Sequence, residues 1–376
     1  MKTAIITSYF SDETYGLLGP QTAATVIREN TPFDCIVIAV TRNNDKTLLK
    51  KALLGYFAKD RPIIGFSTLS GRSDLFSFAK ELKNEGAVTI LAGPQADVDY
   101  WGEKNWQHHP HRFPGLSDCF SFALHGPAEQ AIGLLLNLDH KGWQKNPGLL
   151  YLNKYQKTIH HPKKNWDEQF LGKVNWNTLY RLEDSSLVPH QITTGQVLQQ
   201  IGCPYAARQK SMEIDYPTFM KNNGNHKFRL YCKGCSFCDV AVDKGFYGTL
   251  GINTVLDQIR CLPESSDGRK IAFELINENP LPGLPDLLVE ITSKGIHLSQ
   301  INLTMRADWF IKGHKYLIKA LHLAKKMEMR IILASIGFES FDDTILRNLN
   351  KGTTVETNLK AVTLMRQLKS DFPSHF

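Results

Sequence analysis

The chain has 376 residues, enough for two domains of ordinary size, and its 42% hydrophobic and 22% charged residues are the balance of a globular protein. No apolar run reaches the ~18 residues that span a bilayer, and Met1-Lys2-Thr3-Ala4-Ile5-Ile6-Thr7 is too short and polar for a secretory signal and reads as a strand. A cytoplasmic protein without membrane segments is the expectation. The formal net charge of +7 is spread along the chain in runs no longer than Lys163-Lys164 or Lys325-Lys326, the pattern of a solvated surface and not of a nucleic-acid footprint.

The first 140 residues alternate strand and helix. Apolar runs predict strands at Thr3–Thr7, Cys35–Val40, Ile63–Ser67, Val88–Ala92 and Phe120–Leu124, and helical spacing predicts helices at Gln21–Glu29, Thr47–Phe57, Ser73–Glu85 and Ala128–Leu136. Strands of near-continuous Val/Ile/Leu character between helices indicate a parallel, doubly wound sheet covered on both faces. Ligands of such sheets sit beyond the carboxyl ends of the strands. Here those ends carry Ser67-Thr68-Leu69-Ser70-Gly71, Gly93-Pro94 and Gly126-Pro127-Ala128-Glu129. Glycine lets a large ligand approach the backbone and serine offers a hydroxyl, although ordinary strand-to-helix turns use the same residues. The loop Trp106-Gln107-His108-His109-Pro110-His111 has no carboxylate or cysteine at ligand spacing and reads as surface, not as a metal site.

Residues 141–195 lose the alternation and read as a linker. Leu149-Leu150-Tyr151-Leu152 followed by Gln156-Lys157-Thr158-Ile159 predicts a small hairpin within it.

Seven cysteines, an odd number, argue against a disulfide framework. Cys35, Cys119 and Cys261 are scattered and expected to be buried thiols. Cys203, Cys232, Cys235 and Cys238 cluster, the last three in Tyr231-Cys232-Lys233-Gly234-Cys235-Ser236-Phe237-Cys238-Asp239. Two-residue gaps let thiolates converge on one face of a tight loop, which suits zinc or an iron–sulfur cluster. Zinc would take its fourth ligand from Cys203 or His226, and a zinc-binding module remains an alternative reading.

After the cysteines the α/β rhythm resumes. Helices are expected at Thr254–Cys261, Leu284–Lys294, His314–Met327 and within Asp342–Leu368, and strands at Ile271–Ile276, Gln300–Thr304 and Arg330–Ile336. With the strand before Cys203 this makes four βα units over 196–376, a partial barrel with its site at the strand C-termini, interrupted by an insertion at 207–234.

These segments resemble the radical S-adenosylmethionine (SAM) enzymes of the cobalamin-linked branch. In the N-terminal domain the similar steps are Gly65-Phe66-Ser67, Ala92-Gly93-Pro94 and Gly126-Pro127-Ala128-Glu129. Further on, Gly202-Cys203-Pro204-Tyr205-Ala206 joined across the insertion to Cys235-Ser236-Phe237-Cys238 is similar to the family's Cys-x-x-x-Cys-x-aromatic-Cys signature. Ser335-Ile336-Gly337-Phe338-Glu339-Ser340 and Leu349-Asn350-Lys351-Gly352 stand close to its Gly-x-Glu-Ser and Leu-Asn-Lys-Gly runs. The resemblance implies a flavodoxin-like, cobalamin-binding domain over 1–140 and a radical SAM barrel after the linker. It implies a [4Fe–4S] cluster on three thiolates, with SAM on the fourth iron and cleaved to a 5′-deoxyadenosyl radical, in a methyltransferase or rearrangement enzyme.

Cys235 and Cys238 are cluster ligands on either alignment; family context favours Cys203 as the first ligand, local spacing Cys232. By resemblance Phe237, Arg306, Ser335 and Glu339 face SAM, Arg306 at its carboxylate, and Ser67, Gly93 and Gly126 line a cobalamin pocket that offers no histidine to cobalt. No catalytic residue and no substrate is assigned. Family barrels have six βα units, so this reading leaves the barrel short by about 60 residues at ~30 per unit. Arg330–Ile336 would then be an open edge suited to self-association, and a catalytically impaired cluster- or corrinoid-binding protein is the second alternative.

Overall fold

The computed structural model describes residues 1–68, 71–101, 113–140, 142–207, 209–215, 227–238 and 246–376. It divides into two units, Met1–Thr194 and Gly195–Phe376.

The apolar runs of the first unit become β1 (Lys2–Ser8), β2 (Asp34–Val40), β3 (Ile63–Ser67), β4 (Val88–Ala92) and β5 (Phe122–Leu124), separated by α1 (Leu18–Asn30), α2 (Lys46–Phe57), α3 (Ser73–Asn84), α4 (Pro94–Trp101) and α5 (Phe113–Leu116), and followed by α6 (Gln130–Leu136). β1–β5 are parallel and ordered 2-1-3-4-5, the flavodoxin-like arrangement, with its switch point between β1 and β3. Ile6, Ile38, Ile64 and Phe66 are fully buried, as double-sided cover requires. Phe120 closes the core, its ring edge-on to Phe66 at 5.5 Å and Phe76 at 5.6 Å. Each such ring contributes about 1.5–3 kcal/mol by burial. Asp45 starts α2 by accepting the N–H groups of Thr47 and Leu48.

The segment expected as a linker belongs to this sheet. β6 (Leu149–Leu152) and β7 (Thr158–His160) form the expected hairpin and add to β5, while β8 (Leu179–Glu183) lies parallel to β2 and β9 (Ser186–Pro189) antiparallel to β8. Among the described residues the sheet therefore has nine strands, and the first unit runs to Thr194.

In the second unit, β10 (Thr194–Leu198), which begins at the unit boundary, leads to β11 (Gln200–Gly202). The inserted segment holds β12 (Gln209–Asp215) and β13 (Lys227–Lys233), an antiparallel ribbon pairing Lys210 with Cys232, and then comes β14 (Phe246–Thr249), antiparallel to β11. The α/β units follow as α7 (Ile252–Cys261), β15 (Ala272–Ile276), α8 (Leu284–Ser293), β16 (Gln300–Arg306), α9 (Ala307–Lys326), β17 (Arg330–Gly337), α10 (Asp343–Asn348) and α11 (Val355–Asp371). One sheet orders β10-β15-β16-β17, with β15, β16 and β17 parallel. Leu287, Leu288 and Ile291 of α8 and Phe310, Leu317 and Leu321 of α9 are the buried stripes that cover it. β17 is an outer strand, and near its start the Ile331 N–H donates to the His375 carbonyl. Among the described residues no helix is long and apolar enough to cross a membrane.

Candidate functional site

The carboxyl ends of the second unit's strands collect thiols and charges. Cys203 follows β11 and opens a tight turn in which its carbonyl accepts the Ala206 N–H at 2.9 Å. Cys235 and Cys238 lie in the turn after β13, where the Cys238 N–H donates to the Cys235 carbonyl at 3.2 Å. This turn is pinned to the segment after α10. The Ser236 N–H donates to the Leu349 carbonyl at 3.0 Å, and Asn350 Nδ2 donates to the Gly234 carbonyl at 2.6 Å.

Burial pushes both the Cys203 and Cys235 thiols up from their ordinary value, and Cys238 adds to the rise in each. Glu278 raises Cys203 further, whereas Lys351 and Arg306 pull Cys235 part of the way back. Cys238 is thus within electrostatic reach of both other thiols. Cys232 turns to different partners: its Sγ lies 3.4 Å from Met212 Sδ and accepts Asn350 Nδ2 at 3.3 Å.

Among the described residues, no three His, Cys, Asp or Glu side chains come close enough to hold a single metal ion. Three soft sulfurs are the donor type that an iron–sulfur cluster takes, and one of them, Cys235, has Lys351 and Arg306 beside it to favour its thiolate.

Arg306 ends β16 and is 5% exposed. Its Nε donates to Asp308 Oδ1 at 2.9 Å, Nη2 to the Lys351 carbonyl, and Nη1 to Cys235 Sγ at 3.7 Å. The guanidinium carbon stands 4.0 Å from the Tyr205 ring centre and 5.2 Å from that of Trp309. The arginine expected at a ligand carboxylate is already engaged on several sides. Glu339 follows β17 with φ +58°, the left-handed region that a non-glycine residue enters at a cost. The Phe338 and Ser340 carbonyls flanking it accept Nδ2 of buried Asn358, at 3.1 and 2.8 Å. Ser335 is exposed on β17, opposite Thr304 in register, and Phe237 is half exposed, its ring centre 5.9 Å from Lys351 Nζ.

Two residues not singled out by sequence join this group. Lys351, 4% exposed, ion-pairs with Glu339, and Glu278, just past β15, is raised by burial, with Lys351 and Arg306 opposing. Lys351 had a signal in the Leu349–Gly352 run; Glu278 had none beyond its place after a strand. The three scattered cysteines are unlike one another: Cys35 is buried, Cys119 half-buried and Cys261 exposed, contrary to the expectation that all would be buried.

In the first unit Ser67 and Gly93 do meet. Gly93 has φ +71°, and a Cβ there would lie 2.5 Å from Ser67 Oγ, so the glycine serves the protein's own packing. Gly126, with φ +96°, donates its N–H to Asp97 Oδ1 at 3.1 Å and is covered by Lys163, whose Cβ would be 2.7 Å from an added methyl. At the switch point, Ser8 Oγ ends β1 and Thr68 Oγ1 follows β3; both are buried without a hydrogen-bond partner among the described residues. Such orphaned hydroxyls at the ligand end of a doubly wound sheet fit the polar contacts of a large cofactor. The 106–111 histidine loop, Leu69, Ser70, His226 and Asp239 lie outside the described residues.

No protein-family model and no curated protein matches the chain. Among solved structures it is similar to the cobalamin-dependent S-adenosylmethionine radical enzyme OxsB with aqua-cobalamin and S-adenosylmethionine bound, with a TM-score of 0.57 and 14% identity, over 96% of this chain and 47% of that one. The same enzyme with aqua-cobalamin bound matches with a TM-score of 0.56, 14% identity and the same coverage. The chain spans about half the length of these solved chains. At that identity the likeness shows the fold alone, a mixed α/β chain with a large parallel sheet.

Proposed function

We propose that this chain is a radical SAM protein that holds a [4Fe–4S] cluster on Cys203, Cys235 and Cys238, binds S-adenosylmethionine beside it, and takes cobalamin in its first unit. What carries the reading is the placement of Cys203 in the tight turn after β11 and of Cys235 and Cys238 in the pinned turn after β13, with Arg306 Nη1 3.7 Å from Cys235 Sγ and the Lys351–Glu339 ion pair in the same unit. The shared fold with OxsB supports it. Such a cluster, with one iron free of protein ligands, supplies the electron that splits SAM into methionine and a 5′-deoxyadenosyl radical.

The chain's own residues do the rest. The pin from Asn350 and Leu349 fixes the cysteine turn before any cofactor arrives, so ligand geometry is set by the fold. Glu339 presents a carboxylate suited to the ammonium of SAM, with Lys351 holding its direction. Phe237 offers an exposed ring for the adenine, and exposed Ser335 a hydroxyl for the ribose. In the first unit Ser8 and Thr68 supply hydroxyls to the corrinoid. Methyl transfer or rearrangement is the reaction class that the cobalamin-linked reading implies.

Anaerobic reconstitution followed by iron, sulfide and 5′-deoxyadenosine analysis tests the proposal. About four irons per chain, with 5′-deoxyadenosine formed on reduction with SAM, are expected. One zinc without labile sulfide overturns the reading, and a cluster that never cleaves SAM reduces the chain to a cluster-binding protein.

A further inference from the structure

We infer that Arg306 tunes the cluster through Cys235 instead of gripping the carboxylate of S-adenosylmethionine. The inference rests on Cys235 being a cluster ligand. A bidentate grip on a carboxylate needs two parallel N–H donors along one edge of the guanidinium. Here Nε is held by Asp308, Nη2 by the Lys351 carbonyl, and Nη1 donates to Cys235 Sγ at 3.7 Å. Tyr205, 4.0 Å from the guanidinium carbon, fixes the plane, and Tyr205 is itself held through its hydroxyl, which donates to the Asn350 carbonyl at 2.8 Å. Releasing the arginine for a substrate would break contacts on several elements at once.

What this arrangement delivers is a fixed positive charge and an N–H aimed at a ligand sulfur, at a site where the arginine is only 5% exposed. One-electron reduction adds a negative charge to a cluster, and hydrogen bonds to its sulfurs and nearby cations favour that state, raising the potential. Asp308 works against the same charge. Its carboxylate sits on the far side of the guanidinium from the thiol donor, at Nε, and partly neutralises it. Arg306 and Asp308 therefore set the potential in opposite directions.

The test is the midpoint potential of the reconstituted full-length chain, followed by electron paramagnetic resonance during titration with dithionite. Arg306→Gln should shift the potential negative and Asp308→Asn should shift it positive. Arg269→Gln, which alters a pair with Glu328 ahead of β15, should leave it unchanged. If Arg306→Gln assembles too little cluster to titrate, the positive shift of Asp308→Asn decides alone. Unchanged potentials in both variants overturn the inference while leaving the cluster in place. A wild-type chain that assembles no cluster overturns the underlying reading and the inference with it.

Discussion

Lys351 Nζ lies 2.8 Å from Glu339 Oε1, tying the turn after β17 to the segment after α10 through an ion pair whose lysine side chain is 5% exposed and whose glutamate is 33% exposed. Gly337 makes room for it, since a Cβ there would fall 2.7 Å from Nζ. Lys351→Met keeps most of the buried stem and removes the charge. Water still reaches Glu339, so the expected loss is about 1–3 kcal/mol, the range for stranding a partly buried polar partner. Urea unfolding of the cluster-free protein measures it. Equilibrium dialysis with the reconstituted protein should also show weaker SAM binding, because Glu339 loses the group that directs it. Unaltered SAM affinity would remove Lys351 from the site.

Thr68 offers a test of the first unit with two readouts of opposite sign. Its hydroxyl oxygen is fully buried without a partner among the described residues, a state that costs about 1–3 kcal/mol. Thr68→Val keeps the shape and deletes the orphan, so the ligand-free protein should become more stable. If the hydroxyl serves a corrinoid, hydroxocobalamin should bind the variant more weakly, while the wild type binds it base-off. Gain of stability with unchanged cobalamin binding would assign the hydroxyl to packing alone. Gly93→Val is the poorer probe, because a side chain at φ +71° facing Ser67 Oγ strains the fold before any ligand is considered.

Acid sensitivity of the first unit should run through Asp74. Arg72 grips its carboxylate with Nε and Nη2, each at 2.8 Å, and Lys46 adds a further charge at 3.2 Å, holding the Asp74 carboxyl well below the usual range against the opposing effect of burial. Arg72 in turn donates to the carbonyl of Val40 at the end of β2, so the pair ties α3 to the sheet. The folded carboxyl ionises at lower pH than the unfolded one. Its contribution is therefore whole above the unfolded value of about 4 and fades as pH falls toward the folded one. Asp74→Asn should cost about 1 kcal/mol at pH 7, allowing for solvent at a carboxylate one-third exposed. The gap between variant and wild type in urea midpoints should narrow at pH 3; a constant gap would show that charge is not what the pair contributes.

The strands buried on both faces were legible in the sequence because β2, with Cys35–Val40 entirely buried, can only be written in apolar residues. β8 and β9 were not. In Leu-Tyr-Arg-Leu-Glu only Leu179 is buried, with Tyr180 and Leu182 half-buried and Arg181 and Glu183 exposed, and its partner, β2, is some 140 residues earlier, a pairing that local pattern cannot announce. The β12–β13 ribbon carries a signal in the polar–apolar alternation of Lys-Phe-Arg-Leu-Tyr-Cys-Lys. At the strand ends, the positions of Arg306 and Glu339 followed from chain order. Asp308, the neighbour of Arg306, was legible too, but Tyr205 and Lys351 were not, because they reach Arg306 from two distant segments.

Cys203 and Cys232 compete for one role, and their surroundings predict different outcomes on removal. Cys203 opens the tight turn after β11, and its thiol is raised by burial and then by Glu278 and Cys238. Cys232 belongs to β13 and spends its sulfur on Met212 and on Asn350, the same asparagine that pins the turn through Gly234. Cys203→Ala should therefore lose the cluster, with little iron or labile sulfide retained after reconstitution. Cys232→Ala should keep most of it, since Asn350 still donates to the Gly234 carbonyl and the turn stays in place. Far-ultraviolet circular dichroism would show whether both variants fold alike. With that established, iron retained in Cys203→Ala and lost in Cys232→Ala would transfer the ligand role to Cys232 and would mean that β13 rearranges when the cluster binds.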